Sequence, residues 1–307
     1  MALVAGLLLV APRADAALTE GPRLAAVYDL ILNAQFERAD AQLKDVCPPA
    51  PMEACQAIGV ASLWWQILIH PESRVEDQRL NELAEVAIAA SQAWTEREPQ
   101  RAEAWFYLAG SYAPLVQWRA LRGERLAAAR EGSKIKNALE RALLLDPALA
   151  DAQFGIGLYH YYAAVAPAPA KMLRWLLFLP GGDRTRGLQE ILEARTRGEL
   201  LGGEIDYQLH LLLLWYERKP ADAVALLRSL DARYPFNPLF LQRIAEVETT
   251  YSRDHHAAAE AWRELLDRAD EAITELQIVI DLHPSSPIGA SLRAEMLLRA
   301  ARARRKF

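Results

Sequence analysis

Residues 99–112 and 147–160 carry one pattern written twice, 48 residues apart. The first reads Pro-Gln-Arg-Ala-Glu-Ala-Trp-Phe-Tyr-Leu-Ala-Gly-Ser-Tyr. The second reads Pro-Ala-Leu-Ala-Asp-Ala-Gln-Phe-Gly-Ile-Gly-Leu-Tyr-His. In both, a proline precedes an acid (Glu103, Asp151), an alanine (Ala104, Ala152) and an aromatic (Phe106, Phe154) by the same offsets. An aliphatic-small pair follows (Leu108-Ala109, Ile156-Gly157). A unit that recurs at fixed spacing cannot bury its apolar side alone and must stack on its neighbours. The chain is thereby constrained to a repeat architecture, whose usual work is binding rather than chemistry.

The units read as helical. Alanine and leucine abound, charged residues make up 24% of the 307, and no stretch alternates like a strand. The formal net charge of −5 gives no basic footprint, so nucleic acid is not an expected partner.

Trp105, Leu108, Ala109 and Tyr112 match the first helix of a tetratricopeptide repeat, with alanine for the usual glycine; Ile156 and Gly157 match it again, with Gln153 and His160 in place of the aromatics. Second-helix spacing recurs at Ala39, Leu43, Val46 and Pro51, and at Ala87, Ser91, Trp94 and Pro99. It recurs again at Leu139, Ala142 and Pro147, and at Ala223, Leu227, Leu230 and Pro235. Ala257 lies 34 residues past Ala223. The chain therefore resembles tetratricopeptide repeat proteins. That resemblance implies an all-α, right-handed α-solenoid of six hairpins over residues 17–268. Small residues let paired helices approach, large ones fill the space between hairpins, and each proline stops a second helix. From Pro51 to Pro99 and from Pro99 to Pro147 the interval is 48 residues, 14 more than the 34 of the family. Those hairpins should be taller, by about two turns per helix at ~3.6 residues per turn.

The two ends depart from the pattern. Ala2 to Ala11 is apolar and uncharged, and Ala14-Asp15-Ala16 has small-x-small spacing. This is the layout of a secretory signal peptide over residues 1–16, although no basic residue precedes the apolar run. The expectation is an exported, periplasmic protein without a lipoprotein anchor. The alternative is an apolar helix packed on the first repeat. Residues 269–307 read as a C-terminal helical cap of two helices, the second ending in Arg302, Arg304, Arg305 and Lys306. Cys47 and Cys55 flank a proline-rich link. They are either bridged, as an oxidising compartment allows, or two reduced buried thiols.

No catalytic or metal signature stands out. The six histidines lack metal-ligand spacing, and nucleophile elbow, Walker and dinucleotide motifs are absent from the sequence. No cofactor or metal is expected. Glu190 with Glu193, and Asp206 with His210, read as solvated faces and i,i+4 pairs. An enzyme on a helical scaffold is the least favoured reading. Residues 163–183 form an apolar insertion. Within it, 171–179 should make a short amphipathic helix, with Trp175 and Phe178, covering Tyr161 and Tyr162 or meeting a membrane surface.

Gly182-Asp183-Arg184-x-x-Gly187, with the glycine-rich helix before it and Tyr234-Pro235-Phe236-Asn237-Pro238 after it, is similar to a eukaryotic tetratricopeptide family. That family is linked to clearance of mitochondrial and lipid-droplet-associated protein inclusions. The likeness spans about residues 155–240 and implies a non-enzymatic, membrane-adjacent role.

First helices line the inner groove of such a solenoid. The register assigns to it Phe106, Tyr107 and Gly110, then Phe154, Leu158, Tyr161 and Tyr162, then Gln208, Leu212 and Trp215, then Gln242, Arg243 and Glu246. A protein or peptide partner is expected there; the alternative is that these aromatics pack between the long helices or under the insertion. The carboxylate clamp known from some tetratricopeptide domains is not expected. Its second positions hold Glu103, Asp151, Ile205 and Leu239, its sixth Tyr107, Gly155, Leu209 and Arg243, and only Arg243 fits.

Overall fold

The computed structural model describes residues 18–165 and 181–282, with side chains through residue 270. The signal-peptide segment 1–16, the apolar segment with Trp175 and Phe178, and the basic C-terminal residues lie outside the described residues.

Every regular element among the described residues is helical. Among them twelve α-helices pair into six hairpins. The first hairpin is α1 (Gly21–Leu32) with α2 (Phe36–Val46), the second α3 (Met52–Ile69) with α4 (Asp77–Arg97), and the third α5 (Ala102–Leu121) with α6 (Arg125–Leu145). The fourth is α7 (Ala150–Val165) with α8 (Arg184–Arg197), and the fifth α9 (Gly202–Trp215) with α10 (Pro220–Arg233). The sixth is α11 (Pro238–Val247), ending in a π-helical turn (Glu248–Ser252), with α12 (His255–Leu282). The chain is an all-α solenoid.

The tall hairpins occur where the proline intervals require them. Helices α3 to α6 have 18 to 21 residues, whereas α8, α9 and α10 have 14 each. At 1.5 Å per residue, α5 is about 30 Å long and α9 about 21 Å. Second-helix positions face the core as spaced. Ala39, Ala87, Ala142, Ala223, Leu227 and Leu230 are all fully buried. In the last repeat the register slips by one: Ala258 and Ala261 are buried, and Ala257 only partly. Helix α12 also runs straight across the expected boundary at 268/269, because neither glycine nor proline lies between His255 and Leu282.

Trp105 departs from its expected role as the core filler of the third hairpin. It is only half-buried, its Nε1 donating to the Pro99 carbonyl at 3.1 Å. Its neighbours Phe106 and Tyr107 are buried instead, and Tyr107 stacks on Trp94 at 6.3 Å. Helix α5 is enclosed on more than one side, so the stripe facing the second helix is not its most buried one.

The solenoid closes on its own beginning. The core side of α1 (Leu24, Val27, Tyr28, Ile31, Leu32) is buried, and α1 touches α2, α3 and α9. The Tyr234 hydroxyl donates to Asp29 at 2.5 Å, Asn237 Nδ2 to the Leu32 carbonyl at 2.7 Å, and the Phe236 amide to Asn33 at 3.0 Å. At the start of the helix, the Thr19 amide and hydroxyl both donate to buried Glu103. At Gly203 an added Cβ would lie 2.4 Å from Leu32 Cδ1 and 2.6 Å from the Tyr234 hydroxyl, so only glycine permits this approach.

Helix α3 is long and apolar enough to cross a membrane, with a mean hydropathy of 1.2 over its 18 residues. It lies between α1, α2, α4, α5 and α11, and most of it is buried inside the protein. That is the surrounding a core helix with apolar residues on every side requires.

Candidate functional site

The inner face is built on α9. Glu204, Gln208, Leu211 and Trp215 recur at helical spacing and so form one stripe. At its base Glu204 is fully enclosed. Its carboxylate accepts from Trp65 Nε1 at 3.0 Å, the Tyr28 hydroxyl at 3.3 Å and Gln208 Nε2 at 2.9 Å. Among the described residues no cation contacts it, and burial raises its pKa above the ordinary value, against the pull of those three donors. Gln208 Nε2 also reaches Gln117 Oε1 on α5 at 3.2 Å, and Trp64 Nε1 donates to the same oxygen at 3.0 Å. This polar ladder joins α1, α3, α5 and α9. The stripe opens as it leaves α1: Gln208 is buried, Leu211 half-buried, and Trp215 52% exposed.

The expected groove residues therefore divide. Phe106, Tyr107, Phe154, Tyr161, Gln208 and Leu212 are buried. Their assignment to an open groove is corrected: Phe106, Tyr107 and Gln208 lie toward the end closed by the N-terminal hairpin, and Phe154, Tyr161 and Leu212 pack with Ile191, Ala194, Ile205 and Leu209 in a core between α7, α8 and α9. Gly110, Leu158, Tyr162, Gln242, Arg243 and Glu246 are half-buried, and Trp215 is the most open. On α11, Glu246 accepts from Arg243 at 2.5 Å and from Gln242 at 3.5 Å.

Tyrosines frame the open end. Tyr161, Tyr162 and Tyr216 meet edge to face, with ring centroids 5.7 to 6.1 Å apart. The Tyr161 hydroxyl donates to Glu217, which Arg184 grips through Nε at 2.9 Å and Nη2 at 2.6 Å. That grip, ahead of the opposing effect of partial burial, holds the Glu217 pKa down. Burial and the neighbouring carboxylate raise that of Tyr161. Arg184 and Glu217 also border a shallow surface depression of about 590 Å³ along α8.

The Gly182–Gly187 motif is structural in this chain. Asp183 caps α8 by accepting from the Arg186 amide at 3.0 Å. A Cβ at Gly187 would lie 2.6 Å from the Gly157 carbonyl oxygen and from the Tyr161 backbone nitrogen, so the paired glycines set the close crossing of α7 and α8.

The residues weighed for chemistry find structural partners. Asp206 pairs with Arg195 at 2.5 Å and Arg233 at 3.3 Å, not with His210. His210 is buried, its Nδ1 against the Tyr207 carbonyl, and burial lowers its pKa to about 3. Glu190 meets His160 at 2.6 Å and Arg186 at 2.8 Å. Asp151 accepts from the backbone amides of Glu199, Leu200 and Leu201. Cys47 and Cys55 are brought together, with Cα atoms 6.6 Å apart and their sulfurs in contact. Among the described residues no group of three histidine, cysteine or acidic side chains is placed to hold a metal.

No protein-family model matches the chain, and no curated protein matches it. Among solved structures it is similar to the crystal structure of MamA, with a TM-score of 0.41 and 12% identity over 66% of this chain and 98% of that one. It is likewise similar to TTC0263, a thermophilic TPR protein in Thermus thermophilus. There the TM-score is 0.41 and the identity 16%, over 75% of this chain and 98% of that one. At this distance neither carries an argument about what this chain does.

Proposed function

We propose that this chain is a non-enzymatic helical scaffold that binds a protein or peptide partner at the open end of its inner face, with Trp215 as the anchor. The observation that carries the reading is the α9 stripe, which is core at Glu204 and solvent-exposed at Trp215. A large aromatic left open on an otherwise packed face is the kind of residue that dominates protein interfaces. Leu158 and Tyr162 on α7 and Gln242, Arg243 and Glu246 on α11 supply the partly open flanks. The buried residues of the expected groove shape this surface from beneath. With the signal-peptide layout of residues 1–16, the partner is met in the periplasm.

The test is capture from an envelope fraction with purified wild-type chain and with Trp215→Ala, after both are shown to melt alike. Loss of a specific protein from the Trp215→Ala capture is the expected result. An identical set of captured proteins overturns the reading. The apolar sequence 171–179 favours a second reading, a peripheral membrane protein. Liposome flotation of the whole chain and of a chain lacking 166–180 separates the two.

A further inference from the structure

The turns that close α9 and α11 are built alike and carry the same unusual residue. In the first, Lys219 N–H donates to the Leu213 carbonyl at 2.8 Å; in the second, Asp254 N–H donates to the Glu248 carbonyl at 2.9 Å. Each bond runs back six positions along the chain, one more than the closing bond of a Schellman turn such as Glu124 N–H to the Arg119 carbonyl at 2.8 Å, and in each the residue just before the donor is left-handed. That residue is Arg218 (φ 55°) in one turn and Arg253 (φ 57°) in the other. Glycine is the usual occupant because a Cβ is disfavoured in that conformation. The turn after α5 follows the usual rule, with Gly123 at φ 83°.

The repetition extends to the neighbours. A tyrosine sits two residues before each arginine: Tyr216, 37% exposed, and Tyr251, 47% exposed. The spacing from Tyr216-x-Arg218 to Tyr251-x-Arg253 is 35 residues, one repeat. Ion pairs between α10 and α12 (Arg228 with Glu264, Asp231 with Arg268) match residues 36 and 37 apart, so these hairpins stack in parallel and present both turns on one edge. Arg218 and Arg253 are exposed and in no ion pair among the described residues. The nearby acids are engaged. Glu217 holds Arg184, Asp222 lies 4.0 Å from Lys219, and Asp254 caps α12.

Resting on the reading of Trp215 as a partner anchor, we infer that these paired turns are an acidic-peptide site. Each Tyr-x-Arg turn takes one carboxylate of the partner segment bound beside Trp215. A guanidinium forks onto a carboxylate through two parallel hydrogen bonds, and an adjacent tyrosine hydroxyl can donate a third. Neighbouring packed helices lie about 8–10 Å apart. An extended peptide rises about 3.3 Å per residue, so the two turns match acids three residues apart. Glu20 and Ala34 are left-handed too; what sets Arg218 and Arg253 apart is that both are exposed, stand in equivalent turns two residues after an exposed tyrosine, and enter no ion pair among the described residues.

The left-handed backbone at both positions makes the test clean. Arg218→Gly and Arg253→Gly, singly and together, should leave the melting temperature unchanged or raise it. The probe is a fluorescein-labelled peptide with aspartates three residues apart, followed by anisotropy on the full chain at low and moderate salt. Its all-asparagine counterpart is the control. Each glycine variant should weaken the acidic peptide about tenfold and flatten the salt dependence, and the asparagine peptide should not bind. Equal affinity of wild type and double variant for the acidic peptide overturns the inference. So does binding to phosphatidylserine vesicles with none to the peptide. If Trp215→Ala loses the captured partner while the double glycine variant retains it, the scaffold reading stands and the acidic-site inference fails.

Discussion

Replacing Glu204 by glutamine should change how stability depends on pH, and the structure gives both the sign and the scale. The wild-type carboxylate is fully buried, with three neutral donors and no cation among the described residues. Its folded-state pKa lies above its ordinary value of 4.5. Below about pH 4.5 the side chain is protonated whether folded or unfolded. As pH rises through the window above 4.5, the unfolded chain releases the proton first. Stability then falls until the folded-state pKa is passed. Each unit of upward shift corresponds to about 1.4 kcal/mol lost across that window. Glutamine carries no charge and removes this loss.

Glutamine has a cost of its own that does not depend on pH. Tyr28 and Trp65 both donate to Oε2 and can be served by the amide oxygen. Gln208 Nε2 donates to Oε1, where the new NH₂ group would meet it donor to donor. Flipping the Gln208 amide would relieve that clash but break its bond to Gln117. One hydrogen bond is lost either way, about 1 kcal/mol. Urea unfolding of both proteins from pH 4.5 to 8 should show Glu204→Gln about 1 kcal/mol weaker at the acid end, with the gap narrowing as pH rises. His210, whose depressed pKa makes stability fall as pH drops from 6.5 toward about 3, is common to both proteins and cancels. A constant difference across the range would refute the buried-charge reasoning.

Gly157→Ala should destabilise by about 1–3 kcal/mol, as overpacking does, because its Cβ would meet the Gly187 carbonyl oxygen at 2.8 Å and Ile191 Cγ1 at 2.9 Å. Gly59→Ala, with nothing within 4 Å of the new methyl, should stabilise by up to about 1 kcal/mol; melts that move the same way would contradict this. Thiol titration of the oxidised, unfolded protein should find no free sulfhydryl, and Cys47→Ser should cost about 2–3 kcal/mol; two titratable thiols would favour the reduced pair. The His210 imidazole proton signals should stay at neutral-form shifts between pH 5 and 8, and titration in that range would contradict its burial. Trp94→Ala should cost about 3–5 kcal/mol and half-buried Trp105→Ala about half as much, so equal melting shifts would reverse the corrected register.

The hairpins were legible because their signals are local. An alanine four residues before a leucine, or a proline closing a helix, reports only on the nearest partner, and Ala39, Ala87, Ala142 and Ala223 all face that partner. Taller hairpins followed from counting residues between prolines. The inner face was not legible, because whether a first-helix residue such as Gln208 meets solvent depends on what crosses it from far along the chain, here Gln117 and, through Glu204, Tyr28. Tyr28 and Glu204 are 176 residues apart, and Asn33 and Phe236 are 203. Periodicity contains no term for such closure. The left-handed arginines escaped for a different reason. Glycine announces a left-handed turn, and arginine does not. Only the recurrence of Tyr-x-Arg at 35 residues could have pointed to them.

Closure also explains why one repeat position serves different ends. Glu103 and Asp151 occupy the same place in their first helices, where a groove-lining acid would be available to a ligand. Glu103 instead accepts from Thr19, at the start of the closing hairpin, and from Arg101. Asp151 accepts from three consecutive amides in the α8–α9 connection. Both acids are spent on holding passing chain against the beginning of a helix. An acid used in this way is buried and fully bonded, so it contributes rigidity and no recognition. What remains for recognition is the far end of the same helices, where α9 reaches solvent at Trp215 and the α9 and α11 turns present unpaired arginines. A solenoid sealed at one end by its first helix, with Trp215 exposed among the described residues toward the other, can meet a partner without unfolding its closure. The proposed site lies at that open end for this reason.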